Sequence, residues 1–122
     1  MEKPLGTKAY GHIPHLPDSR MGPGDHKVPD GVQSLVCERL RTHDSVTVTE
    51  KLDGSCCAVA YHNGSIYALS RAGYEAKTSP YLQHRIFDMW VGGYDFSWLR
   101  KFPEHRVVGE WMIQAHGTKY SL

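Results

Sequence analysis

The chain has little of several features that mark particular classes of protein. Its 122 residues contain three cysteines, two of them adjacent, which is a poor disulfide framework and agrees with a reducing compartment. The formal net charge is +1, so there is no global basic field of the kind that marks many nucleic-acid binders. No apolar run is long enough to cross a bilayer and no signal-peptide pattern occurs, so the sequence predicts a cytoplasmic protein without membrane contact.

The sequence also offers little for a structural zinc site, although it contains eight histidines. His12 and His15 are three residues apart, but Pro14 lies between them in a segment expected to be irregular. No Cys-x-x-Cys pair is present to complete a closed site. The spacing of histidine and cysteine therefore assigns no metal ligand.

Proline is concentrated at the start of the chain. Residues 1–30 hold five of the seven prolines, and we expect them to form an extended, mostly irregular arm over the core. The whole chain of 122 residues is long enough for one domain at most, and it can bury a core.

Two helices are predicted from apolar residues at helical spacing. The first runs from about Asp30 to Thr42. The second has Ser79 as its N-cap, Pro80 in its first turn and Gly92-Gly93 as its end, and we expect it to bury Trp90. The apolar positions are Val32, Leu35, Val36 and Leu40 in the first helix, and Leu82, Ile86, Met89 and Trp90 in the second. Three later aromatic residues are assigned to the core: Phe96, Trp98 and Phe102.

A β-hairpin is predicted around Asn63-Gly64, because two β-prone runs flank this dipeptide and a type I′ turn needs positive φ at both central residues. Counting outward pairs His62 with Ser65, Ala60 with Tyr67 and Cys56 with Arg71. Arg71 then returns to the level of the lysine turn that follows the strand-like run 46–49. A guanidinium at this position suits a phosphate-bearing ligand, because its N–H donors match the geometry of phosphate. The alternative is that Arg71 only ends a strand and lies in solvent.

Two motifs in order carry a family resemblance. Glu50-Lys51-Leu52-Asp53-Gly54 resembles motif I, Lys-x-Asp-Gly, of the covalent nucleotidyltransferases, which comprise ATP-dependent RNA and DNA ligases and mRNA capping enzymes. Residues 106–112 resemble motif III, an apolar strand ending in Gly-Glu, and the continuation to Tyr120 is similar to phage-type RNA ligases. The opening 10–17, with its His-Leu-Pro, resembles that of some phage and bacterial members.

The resemblance implies a fold and a boundary. It implies an α+β, ATP-grasp-like adenylation domain with a mainly antiparallel sheet and a few packed helices, of which residues 31–122 are the N-terminal portion. In the family, motifs IV and V follow motif III and complete the nucleotide pocket, and the 122 residues do not include them. We therefore expect a truncated domain that needs a downstream half and has little or no activity alone.

The resemblance also implies a reaction that consumes ATP with Mg²⁺. A lysyl–AMP intermediate forms at Lys51, the AMP passes to an RNA 5′-phosphate, and a 3′-hydroxyl displaces the AMP to seal the strand. Lysine attacks phosphorus only as the neutral amine, which a neighbouring cation such as Arg71 or a divalent ion favours. Such a ligase would serve RNA repair in a cytoplasm, including the host cytoplasm if the chain is phage-encoded.

Five further residues are expected to bind the nucleotide. By resemblance Glu50 contacts the adenine edge, and Glu110 contacts the ribose hydroxyls or a metal-bound water. Arg71 faces phosphate, Gly54 permits close backbone approach, and Asp53 orients the turn. Strand alternation would place Glu50 on the opposite face from the lysine. Direct metal ligands stay unknown.

Several alternatives stay open. The chain is either the ligase described, a non-catalytic nucleotide- or RNA-binding module of the same fold, or a DNA ligase or capping-type nucleotidyltransferase. A structural hairpin domain with Lys51 as a surface charge is a further alternative. We predict that Lys51, Arg71 and Glu110 line one concave face of the sheet, and a failure to converge would favour the structural alternative.

Overall fold

The computed structural model describes residues 1–32 and 45–114. The chain divides into two compact units, one formed by Met1–Gly11 with Leu52–Leu122 and the other by His12–Lys51. The first unit contains strands β1 (Ser55–His62), β2 (Ser65–Ser70) and β3 (Arg106–Trp111), helix α1 (Leu82–Gly92), and 3₁₀ turns at Ala76–Thr78 and Ser97–Lys101. This unit is a small α+β structure with a three-stranded antiparallel sheet, in agreement with the predicted class.

The hairpin between β1 and β2 has the predicted turn and register. Asn63 has φ of 47° and Gly64 has φ of 84°, as a type I′ turn requires. His62 faces Ser65, and the pairing continues along both strands to Cys57 and Ser70. Arg71 follows the last pair and lies in a turn.

β1 is the central strand, because the sheet has the order β2-β1-β3. β3 pairs antiparallel with β1, and Cys57 faces Gly109 while Cys56 faces Glu110. The predicted strand 106–112 is therefore confirmed over Arg106–Trp111.

The core lies on both faces of β1, where four consecutive residues, 57–60, are buried. On one face Cys57 and Val59 pack in a cluster with Phe87 of α1 and Leu99 of the second 3₁₀ turn. On the other face the cluster comprises Ala9, Ala58, Ala60 and Leu69, with Leu5, Tyr67 and Val108 packed against it. Residues of the N-terminal arm therefore supply part of the second layer.

The first eleven residues are fastened to the turn after β2. The backbone N–H groups of Ala9 and Tyr10 donate to the Arg71 carbonyl at 3.1 and 3.3 Å. Gly73 has φ of 94°, and a Cβ at this position would overlap the Thr7 carbonyl. Residue 73 must therefore be glycine for two reasons. Its φ angle disfavours any side chain, and the arm lies too close to leave room for a Cβ atom.

The second unit, His12–Lys51, is described over 12–32 and 45–51. His15 and Lys27 form an isolated parallel bridge. Asp25 lies between two histidines, 3.8 Å from His12 Nδ1 and 3.6 Å from His15 Nε2, and it accepts a hydrogen bond from the Gly22 N–H at 2.8 Å. The helix predicted from about Asp30 to Thr42 falls mainly on residues 33–44, outside the described residues.

The prediction of a strand at residues 46–49 is wrong, because the backbone of these residues is irregular. Val46 is 45% exposed and Val48 is 89% exposed, so the β-prone side chains have no packed surface beneath them. β-branched residues favour a strand only where a neighbouring strand and a packed face are available. Within the described residues, this run pairs with no strand.

Helix α1 begins later than predicted and buries a different face. Tyr81 is the N-cap, and Ser79 instead accepts a hydrogen bond from the Tyr81 N–H at 3.2 Å. The buried helical residues are Phe87 and Val91. Trp90, expected to be buried, is 45% exposed. The apolar residues of α1 form two overlapping stripes, and the sheet covers the one that contains Phe87.

The three aromatic residues assigned to the core behave differently from one another. Phe96 is buried as predicted, whereas Trp98 and Phe102 are 44% and 47% exposed. The exposed Trp98 ring nevertheless lies 6.2 Å from the ring of Phe96.

No helix among the described residues has the length and apolarity needed to cross a bilayer.

We predict that Leu69→Ala lowers the free energy of unfolding by about 2–5 kcal/mol, because this fully buried side chain leaves a cavity between the arm and the sheet. Leu82→Ala is the matched control, since Leu82 is 62% exposed, and we expect a change of about 0.5 kcal/mol or less. Urea denaturation measures both. Equal losses from the two variants would contradict the layer of core described around Leu69.

Candidate functional site

Gly54, the last residue of the Lys-x-Asp-Gly segment, is joined to the Gly-Glu strand by a hydrogen bond. Its N–H donates to Oε2 of Glu110 at 3.2 Å. A Cβ at Gly54 would lie 2.8 Å from the Trp111 carbonyl oxygen and 2.7 Å from Sδ of Met112. Glycine is therefore required here because the end of β3 runs directly against the turn. The bond attaches the Glu110 carboxylate to the backbone of the Lys-x-Asp-Gly segment.

The sheet brings Arg71 and Glu110 to the same end of β1. Cys56 faces Glu110 across β1 and β3. On the other side of β1 the hairpin register ends with Cys57 facing Ser70, and Arg71 is the next residue, in a turn. A cation and a carboxylate therefore follow from the two strands that flank the start of β1.

The N-terminal arm orients the Arg71 guanidinium. Nη2 donates to the Gly11 carbonyl at 3.0 Å, and the guanidinium carbon lies 6.0 Å from the centroid of the Tyr10 ring. Nε is buried and has no hydrogen-bond partner among the described residues. A buried donor without a partner costs about 1–3 kcal/mol, so this group is a candidate for ligand recognition. Sequence reasoning missed Tyr10 and Gly11, because nothing local marks them as partners of a distant arginine.

The three remaining predicted residues precede β1. Glu50 and Lys51 are exposed and belong to the His12–Lys51 unit, whereas Asp53 is exposed and belongs to the sheet unit. Residues 45–53 are irregular, so the alternation that would have put Glu50 and Lys51 on opposite faces does not apply. The convergence of Lys51 with Arg71 and Glu110 stays a prediction.

The two adjacent cysteines differ in environment. Cys57 is buried, and burial raises the pKa of its thiol to about 12, with smaller contributions from Cys56 and Glu110. Cys56 is half-buried and faces Glu110 across β1 and β3. At neutral pH the Cys57 thiol stays protonated and has a packing role.

An apolar cavity of about 200 Å³ lies on the other face of the sheet. Its lining includes Val59 of β1, Phe87 and Trp90 of α1, and Val107 of β3. Trp111, also in the lining, has a buried Nε1 without a hydrogen-bond partner among the described residues. Sequence reasoning missed this cavity, since it expected Trp90 to fill the core.

Among the described residues, no group of three histidine, cysteine or acidic side chains is arranged to hold a metal ion.

A family of known proteins matches the part of the chain that contains the predicted site residues. Residues 44–122, more than half of the chain, match the family model described as RNA ligase. The matched range contains Lys51, Gly54, Arg71 and Glu110. No curated protein and no solved structure matches the chain at a comparable level.

We predict that Gly54→Ala destabilises the sheet unit by about 1–3 kcal/mol, because the new methyl group overlaps the Trp111 backbone, which cannot move without disturbing β3. Gly109→Ala is the matched control in β3, since a Cβ there meets nothing within 4 Å. Thermal unfolding followed by circular dichroism measures both variants. A Gly54→Ala protein as stable as Gly109→Ala would show that the turn does not press against β3.

We predict that iodoacetamide at pH 8 leaves Cys57 unmodified in the folded chain while it modifies Cys56. The thiolate is the reactive form, and with a pKa of about 12 Cys57 reaches it only at strongly alkaline pH. Peptide mass spectrometry locates the adducts, and urea-unfolded chain, in which both thiols react, is the control. Equal modification of both residues in the folded chain would refute the assigned environment of Cys57.

Proposed function

Because the chain belongs to the RNA ligase family, we propose that it forms the first half of the adenylation domain of an ATP-dependent RNA ligase. In this proposal the domain has the ATP-grasp-like fold of the nucleotidyltransferases and joins RNA ends through a lysyl–AMP intermediate. The observation that carries the proposal is the hydrogen bond from the Gly54 N–H to Glu110, since it joins the two motifs that the chemistry needs together.

Lys51 is the proposed nucleophile. It precedes Gly54 by three residues, so chain connectivity keeps the two Cα atoms within roughly 11 Å. Its neutral amine attacks the α-phosphorus of ATP, a nitrogen–phosphorus bond forms, and pyrophosphate leaves with the electron pair of the broken phosphorus–oxygen bond. In this proposal the Arg71 guanidinium supports the step, because a cation beside the amine would favour its neutral form and would donate to phosphate oxygens.

The other proposed contacts follow from the resemblance to the nucleotidyltransferases. In this proposal Glu110, which accepts the Gly54 N–H, binds ribose hydroxyls or a water on Mg²⁺. Its carboxylate oxygens are the donor type that Mg²⁺ prefers, and bound Mg²⁺ neutralises the phosphate charge. Glu50 contacts the adenine edge, and Asp53 orients the backbone between Lys51 and Gly54.

The proposed partners are RNA ends bearing a 5′-phosphate and a 3′-hydroxyl, together with a downstream half of the ligase domain. A net charge of +1 gives the chain no broad basic surface, so RNA contacts in this proposal are local or belong to the downstream half. RNA repair in a cytoplasm, including a phage-infected one, is the proposed setting.

We predict that this chain, mixed with Mg²⁺, α-labelled ATP and the downstream half of a complete family member, becomes labelled at Lys51. The chain alone should be labelled at least a hundredfold more slowly, roughly the cost of losing one preorganised group that stabilises transition-state charge. Lys51→Arg should abolish the label although the charge is kept, because a guanidinium stays protonated and cannot attack phosphorus. Autoradiography and peptide mass spectrometry measure the adduct, with Lys101→Arg, an exposed lysine elsewhere, as the matched control.

Label in the Lys51→Arg protein would identify a different nucleophile. Binding of ATP without any adduct, even with the downstream half present, would instead support a nucleotide-binding module. Rapid labelling of the chain alone would show that the first half already holds a sufficient pocket. Competition between ATP and GTP, followed by transfer to nicked RNA or nicked DNA, separates an RNA ligase from a capping-type enzyme or a DNA ligase.

A further inference from the structure

Residues 9–11 contact Arg71 at both ends of the residue. The backbone N–H groups of Ala9 and Tyr10 donate to the Arg71 carbonyl at 3.1 and 3.3 Å. At the far end of the side chain, Nη2 donates to the Gly11 carbonyl at 3.0 Å, and the Tyr10 ring centroid lies 6.0 Å from the guanidinium carbon. Three consecutive residues therefore fix both the backbone of Arg71 and the direction of its guanidinium.

Strand pairing does not orient this side chain. The pairing of β1 with β2 ends where Cys57 faces Ser70, and Arg71 lies in the turn beyond that pair. An arginine side chain at such a position samples many rotamers, and ordering it when a ligand binds lowers the affinity. The contacts with residues 9–11 restrict the side chain before any ligand binds.

We propose that Tyr10 and Gly11 are positioning residues of the nucleotide site, which hold the Arg71 guanidinium in the orientation that binds a phosphate group. The identity of the ligand, a nucleotide phosphate, rests on the proposed function. A guanidinium has five N–H donors, and the hydrogen bond to Gly11 uses one of them. This hydrogen bond and a hydrogen bond to phosphate therefore need not compete for the same donor.

The positioning role has a reciprocal consequence for the first eleven residues. When their packing favours the guanidinium orientation that binds phosphate, bound phosphate favours their packing by the same factor, because coupling between two equilibria is reciprocal. The N–H groups of Ala9 and Tyr10 report on this packing, since both donate to Arg71. Their hydrogen exchange should therefore slow when a phosphate ligand binds.

A second contact between a cation and an aromatic ring supplies a matched control. Nζ of Lys3 lies 5.1 Å from the centroid of the Tyr74 ring, so this pair also joins the first eleven residues to the turn after β2. Tyr74 is 37% exposed and Tyr10 is 40% exposed. Replacing either ring removes a similar contact, but the Tyr10 ring is the one beside the Arg71 guanidinium.

Titration of the 122-residue chain with inorganic pyrophosphate tests the proposal, with binding followed by the NMR signal of the Arg71 Nε–H group. Tyr10→Leu should raise the Kd about threefold to tenfold, because the guanidinium must then be ordered on binding. Tyr10→Phe keeps a ring beside the guanidinium and should restore the Kd to within about twofold of wild type. Tyr74→Leu should also stay within about twofold of wild type.

Hydrogen exchange of the wild-type chain provides a second measurement that needs no variant at Tyr10. Saturating pyrophosphate should slow exchange of the Ala9 and Tyr10 amides about threefold to tenfold, the same factor as the change in Kd. Arg71→Gln should remove this protection, because the cation that binds the anion is lost. If circular dichroism shows that Tyr10→Leu does not fold, the exchange measurement decides.

Four results would overturn the proposal: an unchanged Kd in Tyr10→Leu, an equal loss of affinity in Tyr74→Leu, an Arg71 signal that does not respond to pyrophosphate, or unprotected amides at Ala9 and Tyr10. Neither measurement uses ATP or Lys51. A chain that binds pyrophosphate as expected but forms no lysyl–AMP would therefore contradict the proposed function and leave the positioning role intact.

Discussion

β1 carries the constraint on which the other elements depend, because it is buried on both faces and paired along both edges. Its buried centre is Cys-Ala-Val-Ala, residues 57–60, and these small side chains let two layers approach closely. Phe87 and Leu99 pack on one side, while Ala9 and Leu69 pack on the other. A strand enclosed in this way cannot slip by one residue without exchanging its two faces. The register of β2 and β3 is therefore set from β1.

That register has a chemical consequence at one end of the sheet. Cys56 and Glu110 face each other at this end, and Arg71 directly follows the last residue of β2. The first eleven residues complete the arrangement, since the Gly11 carbonyl and the Tyr10 ring contact the guanidinium of Arg71. The first eleven residues are thus a structural part of the sheet unit, and their contacts orient the guanidinium of Arg71.

β3 holds the end of the Lys-x-Asp-Gly segment in place. Its Gly-Glu sequence supplies the carboxylate that accepts the Gly54 N–H. The close approach of Gly54 to Trp111 also keeps the segment before β1 against the end of β3.

Local sequence was sufficient for features whose cause is local. Asn63-Gly64 specified a turn with two positive φ angles, and that turn specified the register as far as Ser70. The resemblance of 106–112 to an apolar strand ending in Gly-Glu likewise identified β3, and with it the position of Glu110. The family match over 44–122 includes the residues of both motifs.

Tertiary structure decided what depends on a partner surface. The apolar residues of α1 suit two overlapping faces, and the sheet covers the one with Phe87 and Val91, leaving Trp90 partly exposed. The run 46–49 has β-prone residues but no neighbouring strand among the described residues, so it is irregular. The contact between Arg71 and Gly11 joins residues sixty positions apart. Intrinsic propensity and spacing act within a few residues, whereas burial and long-range hydrogen bonds are settled only when distant segments pack together.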